Sequence, residues 1–197
     1  MRDYALAADG VFETVQGEGV HFGVPMVFVR FAGCPVGCPQ CDTDYRPAGR
    51  ATAAEIARRA CEVASPLTRW VFLTGGEPMV WNLEPVAVEL RRAGFRIAAV
   101  TAGEREVRRD LFDFLAVSPH RLSRWVQRAG DQINLVPGLH GLALADVQAE
   151  DFGGFPADAR FVTPLSADPA RVAECRAWAV RWGWRLGVQA HLVWNLP

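Results

Sequence analysis

Met26-Val27-Phe28-Val29-Arg30-Phe31 runs directly into Ala32-Gly33-Cys34-Pro35-Val36-Gly37-Cys38-Pro39-Gln40-Cys41. The first segment reads as a buried strand, because β-branched and aromatic residues crowd a short apolar run. The second places three cysteines at C-x3-C-x2-C spacing in a loop rich in Gly and Pro, which supply turns that a helix or strand lacks. Three sulfurs on such a loop can point at one centre. Soft thiolates select iron–sulfur clusters, copper(I) or zinc. A structural zinc site closes with a fourth Cys or His; Cys61, Cys175, His21, His120, His140 and His191 are available, but none sits at finger-like spacing. These residues alone leave open a cubane cluster with one iron free of protein, a zinc site, or plain thiols. Cys61 and Cys175 fall in helical patterns and read as core or helix-face thiols.

Outward from the loop, strands alternate with helices. Thr52-Ala53-Ala54-Glu55 is a capping-box pattern that opens a helix to about Ala64. Trp70-Val71-Phe72-Leu73-Thr74 reads as a strand ending at Gly75-Gly76-Glu77-Pro78. A helix is expected from about Leu83 to Ala93, closed by Gly94, then a strand from Phe95 to Thr101. Leu115 to Ser118 ends a fourth strand; Ile133 to Val136 and Ala159 to Thr163 are further candidates. Asp168 to Trp182 reads as a helix and Arg185 to His191 as a last strand. Alternation of this kind means βαβ units and a parallel sheet. About six strands are too few for an eight-unit barrel, so the expected fold is α/β, an open, partial barrel in one compact domain over residues 1–197. The alternative is a doubly wound sheet. The polar signatures, including Thr101-Ala102-Gly103, Ser118-Pro119-His120 and Thr163-Pro164-Leu165-Ser166, follow strand candidates, where parallel α/β folds build their active sites.

Composition narrows the function. Half of the 197 residues are hydrophobic and 22% are charged, which excludes disorder as the main state. The net charge of −1 advertises no nucleic-acid partner. All 21 basic residues are Arg, so mechanisms that need a Lys Schiff base or a P-loop lysine are excluded. No apolar run approaches the roughly 18 residues that span a bilayer. Met1-Arg2-Asp3-Tyr4 lacks a signal peptide's apolar stretch, so a cytoplasmic location without a membrane partner is expected.

The cysteine loop followed by Thr74-Gly75-Gly76-Glu77-Pro78 resembles the radical SAM superfamily. More narrowly, Phe12-Glu13-Thr14-Val15-Gln16-Gly17-Glu18-Gly19, Val29-Arg30-Phe31-Ala32-Gly33-Cys34 and Cys41-Asp42-Thr43-Asp44-Tyr45 resemble the 7-carboxy-7-deazaguanine synthase family, as does the chain end from Trp184 to Pro197. The resemblance implies a partial (βα)6-type radical SAM barrel. It also implies conversion of 6-carboxy-5,6,7,8-tetrahydropterin to 7-carboxy-7-deazaguanine with loss of ammonia, on the route to queuosine-type nucleosides. A 4Fe-4S cluster would cleave S-adenosylmethionine reductively, and the resulting radical would take a hydrogen from the pterin. Mg²⁺, an electron donor such as flavodoxin or ferredoxin, and a homodimer are further family expectations.

Carried over by position, the resemblance assigns the cluster to Cys34, Cys38 and Cys41 and Mg²⁺ to Thr43. It assigns the pterin to Val15, Gln16, Gly17, Thr74 and the terminal carboxylate of Pro197, with Arg30 clamping the substrate carboxylate through its planar fork. S-adenosylmethionine would meet Gln40, Cys41, Asp42, Gly76, Ser118, Pro119, His120, Thr163, Pro164, Leu165 and Ser166. His191 is a further candidate facing the pocket.

Several positions depart from the family pattern. Gln40 stands where radical SAM loops commonly carry an aromatic residue, and His120 replaces the lysine usual after Ser-Pro. Val100-Thr101-Ala102-Gly103 lacks the family's acidic residue and Asn. Two other readings remain beside the leading one. One is a paralogous small radical SAM enzyme with another substrate, such as a glycyl-radical activase; the other is a zinc-binding interaction module.

Overall fold

The computed structural model describes residues 3–197; Met1 and Arg2, which open the N-terminal stretch considered above, lie outside the described residues. Among the described residues the chain forms β1 (Tyr4–Val15), β2 (Pro25–Phe31), β3 (Gly49–Ala51), α1 (Ala53–Val63), β4 (Trp70–Gly75), α2 (Glu84–Arg92) and β5 (Arg96–Thr101). There follow β6 (Phe114–Val117), β7 (Gln132–Leu135), β8 (Arg160–Val162), α3 (Pro169–Trp182), β9 (Arg185–Leu186) and the short α4 (Ala190–Trp194). All nine strands join one sheet in the order β3-β1-β2-β4-β5-β6-β7-β8-β9. From β2 to β9 neighbouring strands are parallel, whereas β1 lies antiparallel to both β2 and β3. No pairing links β9 back to β3, so the barrel stays open.

Alternation along each strand sorts the sheet into two faces. Val27, Val29, Val71, Leu73, Ile97, Ala99, Leu115, Val117, Ile133 and Leu135 point outward into the main core. There they meet Ile56, Ala57 and Ala60 of α1, Val86, Ala87 and Leu90 of α2, and Cys175 and Ala179 of α3. The inner face carries a smaller apolar cluster of Met26, Phe72 and Ala98 with Phe28, Trp70, Val100 and Phe114 packed against it. Cross-strand register places Phe28, Phe72, Ala98 and Phe114 at one level of the inner wall, with Arg30, Thr74, Val100 and Ala116 one step above.

Helix α1 begins as its capping box requires: the Glu55 amide donates to the Thr52 hydroxyl at 3.3 Å, and the Thr52 amide donates to the Glu55 carboxylate at 2.7 Å. The Asp168 carboxylate caps α3, and Gly183, at φ +67°, ends it.

The structure differs from the sequence reading at four places. β1 and β3 had no counterpart in that reading. The crossovers from β5 to β6 and from β6 to β7 contain only 3-10 turns (Arg109–Leu111 and Leu122–Arg124) in place of full helices. The segment between β7 and β8 likewise holds only 3-10 turns, and its Leu142, Leu144, Val147, Phe152 and Phe155 cover the outer face in a helix's stead.

The last strand expected from Arg185 to His191 stops at Leu186. There the Gly187 amide bonds the Val162 carbonyl at 2.8 Å, and Gly187 presses on the Thr163 side chain, where a β-carbon would collide. The Gln189 side chain then accepts the Ser166 amide at 3.0 Å, and the chain turns into α4.

Candidate active site

One cavity of about 260 Å³ runs along the inner face of the open barrel. At one end stands the cysteine loop, which leaves the carboxyl end of β2. Its backbone is fastened on three sides: the Gly33 amide donates to the Tyr45 carbonyl at 2.9 Å, the Glu77 amide to the Gly33 carbonyl at 3.0 Å, and the Ala48 amide to the Leu6 carbonyl at 2.9 Å. Gly33 at φ +86° and Gly37 at φ +63° supply the left-handed turns that bend it inward. Cys34 and Cys38 are half-buried and Cys41 is exposed. Burial, and then the neighbouring Cys41 and Cys34 sulfurs, push the Cys38 thiol up to about 11. Burial also raises that of Cys41. All three cysteines line the cavity at this end.

The far end is built differently. Residues 16–24 join β1 to β2 and therefore leave from the opposite end of β2, as the pairing of Val15 with Pro25 shows. This hairpin folds across the barrel onto β7, where the Gln132 side chain accepts the Val20 amide at 2.8 Å and the Asn134 side chain donates to Glu18 at 3.0 Å. The Thr163 hydroxyl in turn donates to Asn134 Oδ1 at 2.6 Å.

Side chains from three segments bridge the open side of the barrel. His191 Nε2 lies 3.0 Å from Asp42 Oδ2, and His191 Nδ1 lies 3.9 Å from Glu18 Oε1. The hydrogen bond to Asp42 raises the His191 pKa, and the same bond holds the Asp42 carboxyl below its ordinary value. Loss of water raises that of Glu18. Gly17 fits beneath this bridge: its carbonyl accepts the Ala190 amide at 3.1 Å, and a β-carbon there would press on His191 Nδ1 at 3.0 Å.

Between the two ends, Phe28, Phe72 and Phe114 form an apolar floor, with the Phe28 and Phe72 rings 5.3 Å apart. His21 closes one edge, its ring 4.3 Å from that of Phe114 and 4.8 Å from that of Trp70. Burial, and then the Arg96 charge, lower its pKa. Arg30 Nη1 donates to Asp9 Oδ2 at 2.9 Å while the guanidinium lies 4.6 Å over the Phe12 ring.

Of the residues singled out in the sequence, Val15, Gln16, Gly17, Arg30, Thr74 and Pro197 line this cavity. So do Gln40, Asp42, Gly76, Ser118, His120 and Leu165, together with Cys34, Cys38, Cys41 and Thr43. Pro119, Thr163, Pro164 and Ser166 do not. Pro119, Thr163 and Pro164 are buried behind the wall, and exposed Ser166, at φ +55°, directs its amide to Gln189. His191 also lines the cavity.

Glu18, Gln132, Asn134 and Gln189 line it too and had escaped the sequence reading. The alternation Gln132-Ile133-Asn134-Leu135 carried the signal, since two polar residues one apart share a strand face. Glu77 is buried and its carboxylate is fully engaged, accepting the Met79 amide at 3.0 Å, the Thr101 hydroxyl at 2.9 Å and the Ala102 amide at 2.7 Å. Burial pushes its carboxyl up against those three bonds.

An open, mostly parallel barrel whose first parallel strand delivers three cysteines, and whose next ends in Gly-Gly-Glu beside them, has the architecture of the radical SAM enzymes. No protein-family model matches the chain. The 7-carboxy-7-deazaguanine synthase of Burkholderia multivorans is 31% identical over an alignment of 215 positions, gaps included, which covers 97% of this chain and 99% of that one. The protein of the same name from Bradyrhizobium diazoefficiens is 35% identical over 211, spanning 95% and 97%. The crystal structure of QueE from Escherichia coli matches with a TM-score of 0.69 at 25% identity, covering 95% of this chain and 94% of that one. The chain belongs to the 7-carboxy-7-deazaguanine synthase family.

Proposed function

We propose that this chain converts 6-carboxy-5,6,7,8-tetrahydropterin to 7-carboxy-7-deazaguanine, with ring contraction and loss of ammonia, in queuosine and 7-deazapurine biosynthesis. The observation that carries this reading is the inner-face cavity, which joins the three-cysteine loop to a chamber walled by Gln16, Gly17, Arg30 and Thr74. The whole chain, residues 1–197, acts in this reading as one radical SAM domain.

The donor set suits a 4Fe-4S cluster on Cys34, Cys38 and Cys41. Three soft sulfurs share one wall, and each of the three thiolates of a cubane binds a separate iron. Among the described residues no three His, Cys, Asp or Glu side chains are grouped as a single metal ion requires, and a cubane makes no such demand. When bound, the cluster and S-adenosylmethionine supply reductive cleavage of the sulfonium C–S bond and removal of a hydrogen from the pterin.

The protein's own part is to bind, orient and exclude water. Gln40, Asp42, Gly76, Ser118 and Leu165 face S-adenosylmethionine, and His120 lines the cavity beside Cys38. Pro119, Thr163, Pro164 and Ser166 support that wall from behind, Thr163 through Asn134 and Ser166 through Gln189. The Thr43 hydroxyl, 3.2 Å from Asp42 Oδ1, offers Mg²⁺ the hard oxygen it prefers. Val15, Gln16, Gly17, Thr74 and Pro197 surround the pterin over the Phe28, Phe72 and Phe114 floor, and Glu18 presents acceptor oxygens to its donor edge. Arg30 takes the substrate carboxylate by exchanging its exposed partner Asp9.

A one-electron donor, flavodoxin or ferredoxin, and a cytoplasmic location complete the reading; among the described residues no helix is long and apolar enough to cross a membrane. A homodimer is supported by the exposed pair Phe22 and Trp194, whose rings lie 5.6 Å apart beside exposed Val20 and Val193.

The test is anaerobic incubation of reconstituted protein with reductant, S-adenosylmethionine, Mg²⁺ and the carboxypterin. The deazaguanine and 5′-deoxyadenosine are expected to form together. Release of 5′-deoxyadenosine only at the substrate-free rate, with no deazaguanine, removes the substrate assignment.

A further inference from the structure

His120 Nδ1 lies 2.9 Å from Cys38 Sγ. The histidine follows the end of β6, where the Ser118 amide bonds the Thr101 carbonyl at 2.8 Å and Pro119 is buried. The next residue fastens the same turn to the cysteine loop: Arg121 pairs through two bonds of 2.6 Å with the Glu104 carboxylate, and its Nη2 also reaches the Pro35 carbonyl at 3.4 Å. The β6 turn thus touches the cysteine loop at Pro35 and again at Cys38. The imidazole ends on that sulfur.

A cysteine that holds iron does so as a thiolate, which has no proton to donate. With the cluster held, the same contact would have Nδ1–H donating to sulfur. Hydrogen bonds to cluster sulfurs are one of the levers by which a protein sets reduction potential, because they stabilise the more electron-rich, reduced cluster. We infer that His120 is a positioning residue that acts through Cys38: its Nδ1–H bond to the ligand sulfur raises the reduction potential of the cluster and eases its reduction. This assigns the histidine to the iron site instead of the salt bridge to S-adenosylmethionine that a lysine would make. The inference rests on the cluster reading proposed above.

Wild type, His120→Phe and His120→Asn are reconstituted anaerobically, assayed for iron and sulfide, and titrated against potential by electron paramagnetic resonance. Phe keeps a ring without a donor, and the Asn amide places an N–H near the position of Nδ1. All three chains are expected to take up iron. His120→Phe then has a lower midpoint potential than wild type, and His120→Asn stays near it. Equal midpoints in wild type and His120→Phe, or a fall in His120→Asn as large as in His120→Phe, overturn the inference. Weakened S-adenosylmethionine binding by His120→Phe at an unchanged midpoint overturns it in favour of the lysine-like role. A wild-type chain that takes up no iron removes the cluster reading and the inference together, whereas loaded chains with equal potentials remove the inference alone.

Discussion

Gly76 packs so tightly on Gly33 that a β-carbon on Gly76 would collide with the Gly33 carbonyl group. The Gly76 amide bonds the Phe31 carbonyl at 2.8 Å, and the Glu77 amide bonds that of Gly33 at 3.0 Å, so the end of β4 and the entry to the cysteine loop form one hydrogen-bonded unit. The glycine pair is thus a packing requirement of the loop that carries the thiols.

Gly76→Ala is accordingly expected to lower stability by ~1–3 kcal/mol, the usual range for overpacking a close contact. Iron retained after reconstitution should fall with it. Gly49→Ala, where a β-carbon meets nothing, serves as the control and should stay within about 0.5 kcal/mol of wild type. Thermal melts and iron assays on the two variants decide the matter; equal melting temperatures would contradict the packing argument.

Removing any one of Cys34, Cys38 and Cys41 as Ala should abolish the brown colour and cleavage of S-adenosylmethionine. Cys61→Ser, exposed on α1, should retain both. Iron and acid-labile sulfide per chain provide the measurement, and retention of a full complement by Cys38→Ala would exclude this ligand set.

Arg30→Lys keeps the charge and loses the fork. KM for the carboxypterin is expected to rise roughly 10- to 100-fold, the equivalent of ~1.5–3 kcal/mol for a hydrogen bond to a charged group. Asp9→Asn weakens the competitor for the guanidinium and should lower KM or leave it unchanged. Steady-state kinetics on both variants separate clamp from strand filler: in a purely structural role, Arg30→Lys would leave KM alone.

Glu13 offers a pH test remote from the site. Partial burial pushes its carboxyl up, but hydrogen bonds from the Ser65 and Thr68 side chains and the Ser65 amide outweigh this and bring it below 4.5. A carboxyl lowered by folding stabilises the native state above its unfolded value and loses that contribution as pH falls through the folded one. Wild type should therefore exceed Glu13→Gln in melting temperature at pH 7, with the gap closing as the solution is acidified below about 4.5. A gap independent of pH would show that the carboxylate's charge contributes nothing.

Glu77→Leu leaves the Ala102 amide and the Thr101 hydroxyl buried without their acceptor. Each orphaned group costs about 1–3 kcal/mol, so the variant should melt well below wild type and yield little folded protein. Expression and melting at wild-type levels would show that this carboxylate is not structural.

The parallel core was legible because its strands are short apolar runs set off by polar turns, and capping boxes and glycines marked the helix ends. β1 was not, for a physical reason. Its pairing with β2 shifts between Leu6 and Val11, and Asp9 with left-handed Gly10 breaks the alternation that reveals a half-buried strand. The three thiols were legible as a unit, since one loop carries them all. The polar wall was not: Gln132 and Asn134 become partners of the 16–24 hairpin only because that hairpin crosses the barrel, and no local pattern encodes a contact spanning 112 residues. Thr163 and Ser166 read as site residues by position after a strand, yet their hydrogen bonds turn them to Asn134 and Gln189.

Because Glu77 is occupied by the amides and hydroxyl of its own turn and of the adjoining strand end, its carboxylate is committed to the scaffold. Stripping the loop of its cysteines would therefore silence the chemistry and leave this buried knot of hydrogen bonds whole.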